Sequence, residues 1–98
     1  MSIVLGIDAL REIARRSGLL YLDIKVKTHI SGFEAVLRLK LSNGEEREFS
    51  ATTEDALTAM TRFSGVWKEY PAKMLAQFVE VKAYREIFRS EIKRLEGQ

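Results

Sequence analysis

After Pro71 the chain runs to Glu96 without a glycine or a second proline. That limits the architecture more than any other feature, because so long an uninterrupted stretch reads as helix. Proline suits the first turn: its missing N–H has no partner there in any case, and its fixed φ matches the helical value. Met74, Phe78, Val81, Phe88, Ile92 and Leu95 recur at three- and four-residue steps, and Leu75, Val79, Tyr84 and Ile87 widen the stripe. One helix from Pro71 to Glu96 would measure ~39 Å at ~1.5 Å per residue. A compact chain of this size has a radius of gyration near ~13 Å. Such a helix should overhang its own domain and offer Ile92 and Leu95 to a neighbouring subunit. Arg85 interrupts the stripe between Val81 and Phe88. A cation there is paired, snorkels to water, or is aimed at a ligand.

The segments before it supply the partner layer. Ser2–Leu5 is short and apolar, fit for an edge strand. Asp8 suits the N-cap of a two- to three-turn helix with Leu10, Ile13 and Ala14 inward, and Gly18 suits a left-handed stop. Leu20, Leu22, Ile24 and Val26 alternate with Tyr21, Asp23, Lys25 and Lys27, the pattern of a half-buried strand. After a connection at His29–Gly32, Phe33, Ala35, Leu37, Leu39 and Leu41 alternate again. A two-residue Asn-Gly turn at Asn43–Gly44 would set Leu41 and Leu39 against Glu46 and Glu48. A three-residue loop with Gly44 left-handed instead sets Leu37 against Phe49, Lys40 against Glu46 and Arg38 against Glu48. Both faces make sense only in the second register. Thr52 or Thr53 then caps a helix of about ten residues from Glu54, with Ala56, Leu57, Met60 and Phe63 inward and Ser64-Gly65 as its stop. The expected fold is α+β: a helix, a three-stranded antiparallel sheet, a short helix and a long C-terminal helix packed on one sheet face, in a single domain over residues 1–98.

Composition narrows the function. A hydrophobic content of 46% with 31% charged residues is that of a globular chain, and no apolar run reaches membrane-spanning length. The start carries no basic segment followed by a long apolar one, so the expected location is the cytoplasm. Zero cysteines exclude disulfides and thiolate metal sites, and the single histidine, His29, cannot build a serine triad or a histidine-based metal site within one chain. No phosphate loop ending in Gly-Lys-Ser/Thr occurs. No enzyme and no cofactor are expected. The acids Glu45, Glu46, Glu48, Glu54 and Asp55 read as a solvated face. Net charge is only +2, so affinity for a polyanion must come from how cations are arranged. Arg38 and Lys40 can pair across strands with Glu48 and Glu46. Arg89, Lys93 and Arg94 favour a helix C-terminus and need no ligand. Trp67 suits a packed anchor.

Gly65, Trp67, Pro71, Met74, Leu75, Arg85 and Phe88 together form the pattern G-x-W-x3-P-x2-M-L-x9-R-x2-F. That pattern resembles the signature helix of the RecT/Red-beta (Bet) family of phage single-strand annealing proteins. Gly6-Ile7-Asp8 before a short amphipathic helix resembles the Bet branch, and Ala14-Arg15-Arg16-Ser17-Gly18 the RecT branch, in the family's order with a strand region between them. The resemblance implies single-stranded DNA binding and annealing of complementary strands in homologous recombination, without ATP or metal. It further implies a homo-oligomeric ring or filament, a partner exonuclease, and a bacterial or phage-infected host cell. By position it implies Lys73 and Arg85 as phosphate ligands, with Lys82, Arg15 and Arg16 beside them. Ala72, Ala76 and Phe78 stand where the family carries further basic residues, which implies weaker binding and a shallower salt dependence. Two other classes fit the same pattern: a double-stranded RNA-binding module, and an oligomerising scaffold that kept the fold without DNA binding.

Overall fold

The computed structural model describes residues 5–30, 32–62 and 64–97. Its elements run α1 (Ile7–Arg16), β1 (Leu19–His29), β2 (Gly32–Leu41), β3 (Glu46–Thr52), α2 (Leu57–Arg62), α3 (Ser64–Glu69), α4 (Pro71–Ile87) and α5 (Arg89–Leu95). The strands form one antiparallel sheet in the order β1-β2-β3. α4 crosses all three strands, and α1 and α5 pack beside it. The α+β fold is thus the one expected, with one long helix lying on the sheet. Among the described residues no helix is long and apolar enough to cross a membrane. The proposed strand at Ser2–Leu5 lies outside the described residues except for Leu5.

The β2–β3 register follows from its loop. Leu37 faces Phe49, Arg38 faces Glu48 and Lys40 faces Glu46. Gly44 takes φ +90, and the Asn43 side-chain oxygen accepts from the Glu45 N–H at 2.8 Å. A side chain with a Cβ is strained at that φ, so glycine fixes the loop and the loop fixes the pairing.

β1 departs from strict alternation. Leu19 pairs with Leu41 but Tyr21 pairs with Lys40, so Leu20 is the extra residue of a β-bulge. The bulge turns Leu19 toward the core and leaves Leu20 65% exposed, whereas simple alternation puts Leu20 inside. The first helix also starts earlier than Asp8 implies: Gly6 is its N-cap and Asp8 lies in the first turn.

After β3, Thr52 and Asp55 close a reciprocal cap. The Thr52 N–H donates to the Asp55 carboxylate at 2.8 Å, and the Asp55 N–H donates to the Thr52 hydroxyl at 3.3 Å. This cap holds a turn rather than a helix start, and α2 begins only at Leu57, whose side chain is exposed rather than inward. Ser64 and Gly65 open α3 instead of ending a helix. A Cβ on Gly65 would meet nothing within 4 Å, so neither space nor backbone demands glycine there. Trp67 is buried and ties α3 to α4. The inward placement of Met60 and Phe63 lies outside the described side chains.

The C-terminal segment is two helices, not one. α4 starts at Pro71 as expected. At Phe88 the backbone leaves helical values, with φ −106 and ψ 32, and α5 follows at an elbow. The cause is tertiary. Ile92 is 2% exposed in the chain's own core, and Glu96 reaches back to Arg85 at 2.8 Å. Eleven residues of straight helix would hold those two Cα atoms ~16 Å apart, beyond the reach of both side chains. The overhang therefore does not exist, and Ile92 needs no neighbouring subunit; Leu95 alone of that pair stays exposed. Nor is the bulky stripe the centre of the α4 contact. Leu75, Val79 and Ala83 are fully buried, as are Ala35 and Ala51 of the sheet. Small side chains on both layers bring helix and sheet close, and Met74, Phe78 and Val81 fill the flanks.

Candidate functional site

Two arginine–glutamate clasps hold the helical layer together. In the first, Arg11 of α1 grips Glu80 of α4 with two parallel bonds: Nε donates to Oε2 at 2.9 Å and Nη2 to Oε1 at 3.0 Å. The Tyr84 hydroxyl donates a third bond to Glu80 at 2.7 Å. Glu80 is 4% exposed, and its carboxylate survives burial because three donors replace its water. Burial, then the bond to Glu80, pushes the Tyr84 phenol well above its usual range. In the second clasp, Arg85 donates to both oxygens of Glu96, at 3.1 and 2.8 Å. The Leu5 N–H adds a third bond at 3.0 Å. The Arg85 bonds first, and the Leu5 N–H second, hold the Glu96 carboxyl down at about 2. Of the three roles open to a cation in that stripe, Arg85 takes pairing.

The second clasp borders a cleft at the α4–α5 elbow. Its volume is about 620 Å³, and Lys82, Arg85, Glu86, Arg89, Lys93 and Glu96 line it over a floor containing Ile92. The elbow makes the cleft, since a straight helix has no concave side. Four cations face two acids there, and Arg85 and Glu96 cancel each other. Among the described residues Lys82, Arg89, Lys93 and Glu86 form no ion pair, so three unpaired cations face one unpaired acid. Lys82 is tethered: its ammonium donates to the Ser50 carbonyl at 3.2 Å, and it lies close enough to Asp55 to help lower that carboxyl, after the Thr52 N–H. A surplus of cations in a concave site concentrates anions, phosphates above all.

The five cations singled out from the sequence do not share one site. Lys82 and Arg85 line the cleft. Lys73 lies nine residues before Lys82 on α4, about half a turn away around the helix, and its ammonium sits 6.0 Å from the Tyr70 ring centroid. Arg15 and Arg16 both pair with Glu12, at 2.6 and 2.8 Å. Arg16 lines a different groove, between α1 and α5, with Leu5, Ala9, Ile13 and Leu95; α5 stands between that groove and the cleft. Arg89 and Lys93, read from the sequence as helix-dipole partners, are the cations the cleft gathers. Nothing in the sequence pairs Glu80 or Glu96 with a cation. Of the motif residues, Trp67, Leu75 and Phe88 are buried, Met74 is half-buried, and Pro71 opens α4. Their roles are structural.

On the outer sheet face the charges cancel. Lys27 meets Glu34 at 3.2 Å, Arg38 meets Glu48 at 2.9 Å, and Lys40 stands opposite Glu46. On the inner face Arg47, opposite Leu39, lies over Phe49, 5.3 Å from the ring centroid. The backbone of His29 closes β1; its side chain is not among those described. Compared with protein-family models, with curated proteins and with solved structures, the chain matches none.

Proposed function

We propose that the protein binds single-stranded DNA by its phosphates in the α4–α5 cleft and brings complementary strands together without ATP. The observation that carries this reading is the surplus of Lys82, Arg89 and Lys93 over Glu86 in a concave site whose remaining two charges, Arg85 and Glu96, are paired. Phosphates displace counterions from such a site, and bound strands leave their bases free to test a second strand. Stacking in the new duplex, ~1.4 kcal/mol per step, then supplies the driving force. Lys82 extends the cationic track along α4, and Arg85, fixed by Glu96 through two of its five N–H groups, keeps three for a ligand at the cleft wall. The resemblance of Gly65–Phe88 to the RecT/Red-beta signature helix supports the same reading. With it go work in homologous recombination, in the cytoplasm of a bacterial or phage-infected cell, and a partner exonuclease.

Fluorescence anisotropy with labelled single-stranded DNA tests this, with the complementary strand added second. Two to four neutralised phosphates predict a log–log salt slope of about −1.4 to −2.8. Binding should strengthen when the second strand arrives and vanish in the Arg89→Glu/Lys93→Glu double variant. Duplex RNA competing better than single-stranded DNA would instead favour a double-stranded RNA-binding module. No binding at low salt would leave the scaffold reading.

A further inference from the structure

β1 is one of the two edge strands of the sheet, and its inner face is incompletely covered. The inward residues Ala35, Leu37 and Leu39 of β2, and Ala51 of β3, are at most 2% exposed. Leu22, Ile24 and Val26 of β1 are only partly buried. The backbone groups on this edge can be assigned. The Leu41 N–H donates to Glu45 across the β2–β3 turn at 2.9 Å, so odd-numbered residues of β2 bond toward β3 and even-numbered ones toward β1. Through the β1–β2 register, with Asp23 opposite Arg38 and Lys25 opposite Val36, the odd residues of β1 bond inward. Leu22, Ile24, Val26 and Thr28 are left with N–H and C=O groups directed away from the sheet. Unpaired edge groups of this kind are a template for another strand.

The side chains of β1 select which strand. In an antiparallel pair of two copies of β1, the outward-directed residues must pair with each other, which permits centres at Asp23, Ile24 or Lys25. A centre at Lys25 sets Lys25 against its own copy, and a centre at Asp23 does the same for Asp23. The Ile24 centre alone sets Asp23 against Lys25 twice, Tyr21 against Lys27 twice, and Leu22 against Val26 on the apolar face. Asp23–Lys25 then occupies the closer, non-hydrogen-bonded positions, where opposite charges help and like charges destabilise. Among the described residues neither Asp23 nor Lys25 has an ion-pair partner within the chain. The Leu20 bulge bends the strand just before this segment and limits the pairing to it.

We propose that two copies of this chain join through β1, antiparallel about a two-fold axis at Ile24, to form one six-stranded sheet. The contact is self-complementary and closes at two subunits, unlike a head-to-tail ring or filament. The axis runs perpendicular to the sheet, so both helical layers lie on the same side of it. Nothing in this pairing depends on what the α4–α5 cleft binds.

Sedimentation velocity over a wide concentration range, with circular dichroism to confirm folding, tests it. The wild-type chain should show a concentration-dependent dimer. Asp23→Lys, at a half-buried position, and Lys25→Asp, at an exposed one, should each weaken it by ~10-fold or more, because each sets like charges together twice. Mixing the two variants should restore a heterodimer, since lysine then faces aspartate at both pairs. A wild-type chain that stays monomeric throughout would overturn the proposal. So would a dimer that both variants retain, or variants that do not recover on mixing.

Discussion

The Arg11–Glu80 and Arg85–Glu96 clasps have the same chemistry and different surroundings. Each is a bidentate arginine–carboxylate pair completed by a third donor, the Tyr84 hydroxyl in one and the Leu5 N–H in the other. The Glu80 side chain is 5% exposed and that of Glu96 is 14%. Glu80 is matched by Arg11, and the clasp fastens α1 to α4. Around Glu96 stand Lys82, Arg89 and Lys93, which form no ion pair among the described residues and outnumber the one unpaired acid, Glu86. An arginine in an apolar stripe therefore does not mark a site. An imbalance of charge around it does.

Breaking the first clasp should have the largest effect. Glu80→Ala strands the Tyr84 hydroxyl and the inner end of Arg11, and should cost about 3 kcal/mol in urea denaturation. That is the low end for a buried pair broken on one side, because Arg11 is half exposed. DNA binding by the folded fraction should be unchanged. Arg85→Glu in the second clasp should do the reverse in emphasis. It sets two carboxylates together and cancels the cleft's surplus, so single-stranded DNA affinity at low salt should fall ~10-fold or more by anisotropy. Glu96→Gln sharpens the contrast further: freeing the Arg85 charge should tighten binding by about two- to five-fold, the worth of one exposed charge.

Acid tests the second clasp as well. Glu96 titrates near 2 in the folded chain against an ordinary 4.5. Its stabilisation is complete above pH 4.5 and is lost as pH falls toward 2. Thermal melts should decline over that window in the wild-type chain and decline less in Glu96→Gln. Glu12, held near 2 by the bond from Arg15 first and then Arg16, contributes in the same direction and remains in the variant. The smallest effect belongs to the sheet face. Arg38→Ala removes an exposed pair and should change stability by no more than ~0.5 kcal/mol and binding not at all.

Where local chemistry decides the structure, the sequence is readable. Gly44 and the alternation on both sides of it fix the hairpin register, and Pro71 fixes where α4 begins. The misreadings share a cause. Nothing at Phe88 announces a break, because the bend comes from burying Ile92 and from a pair eleven residues apart. Leu20 fits the alternation, but pairing Leu19 with Leu41 displaces it. Glu80 looks like one more surface glutamate, and only packing α1 against α4 brings Arg11 and Tyr84 to it. Its neighbours gave one clue: it lies between two valines that both turn toward the core. Arg89 and Lys93 read as helix-dipole partners because a straight helix offers them nothing else.

The elbow at Phe88 also ties binding to folding. α5 has seven residues, too few to persist as a helix by itself in water. One wall of the cleft thus exists only while Ile92 is docked in the core. Whatever occupies the cleft binds the native chain and not the unfolded one, and by mass action must stabilise it. At a hundredfold excess over Kd that gain is about 2.7 kcal/mol. A library of oligonucleotides and simpler polyanions could therefore be ranked by melting temperature alone, with no labelled ligand and no assumption about what the cleft does with it.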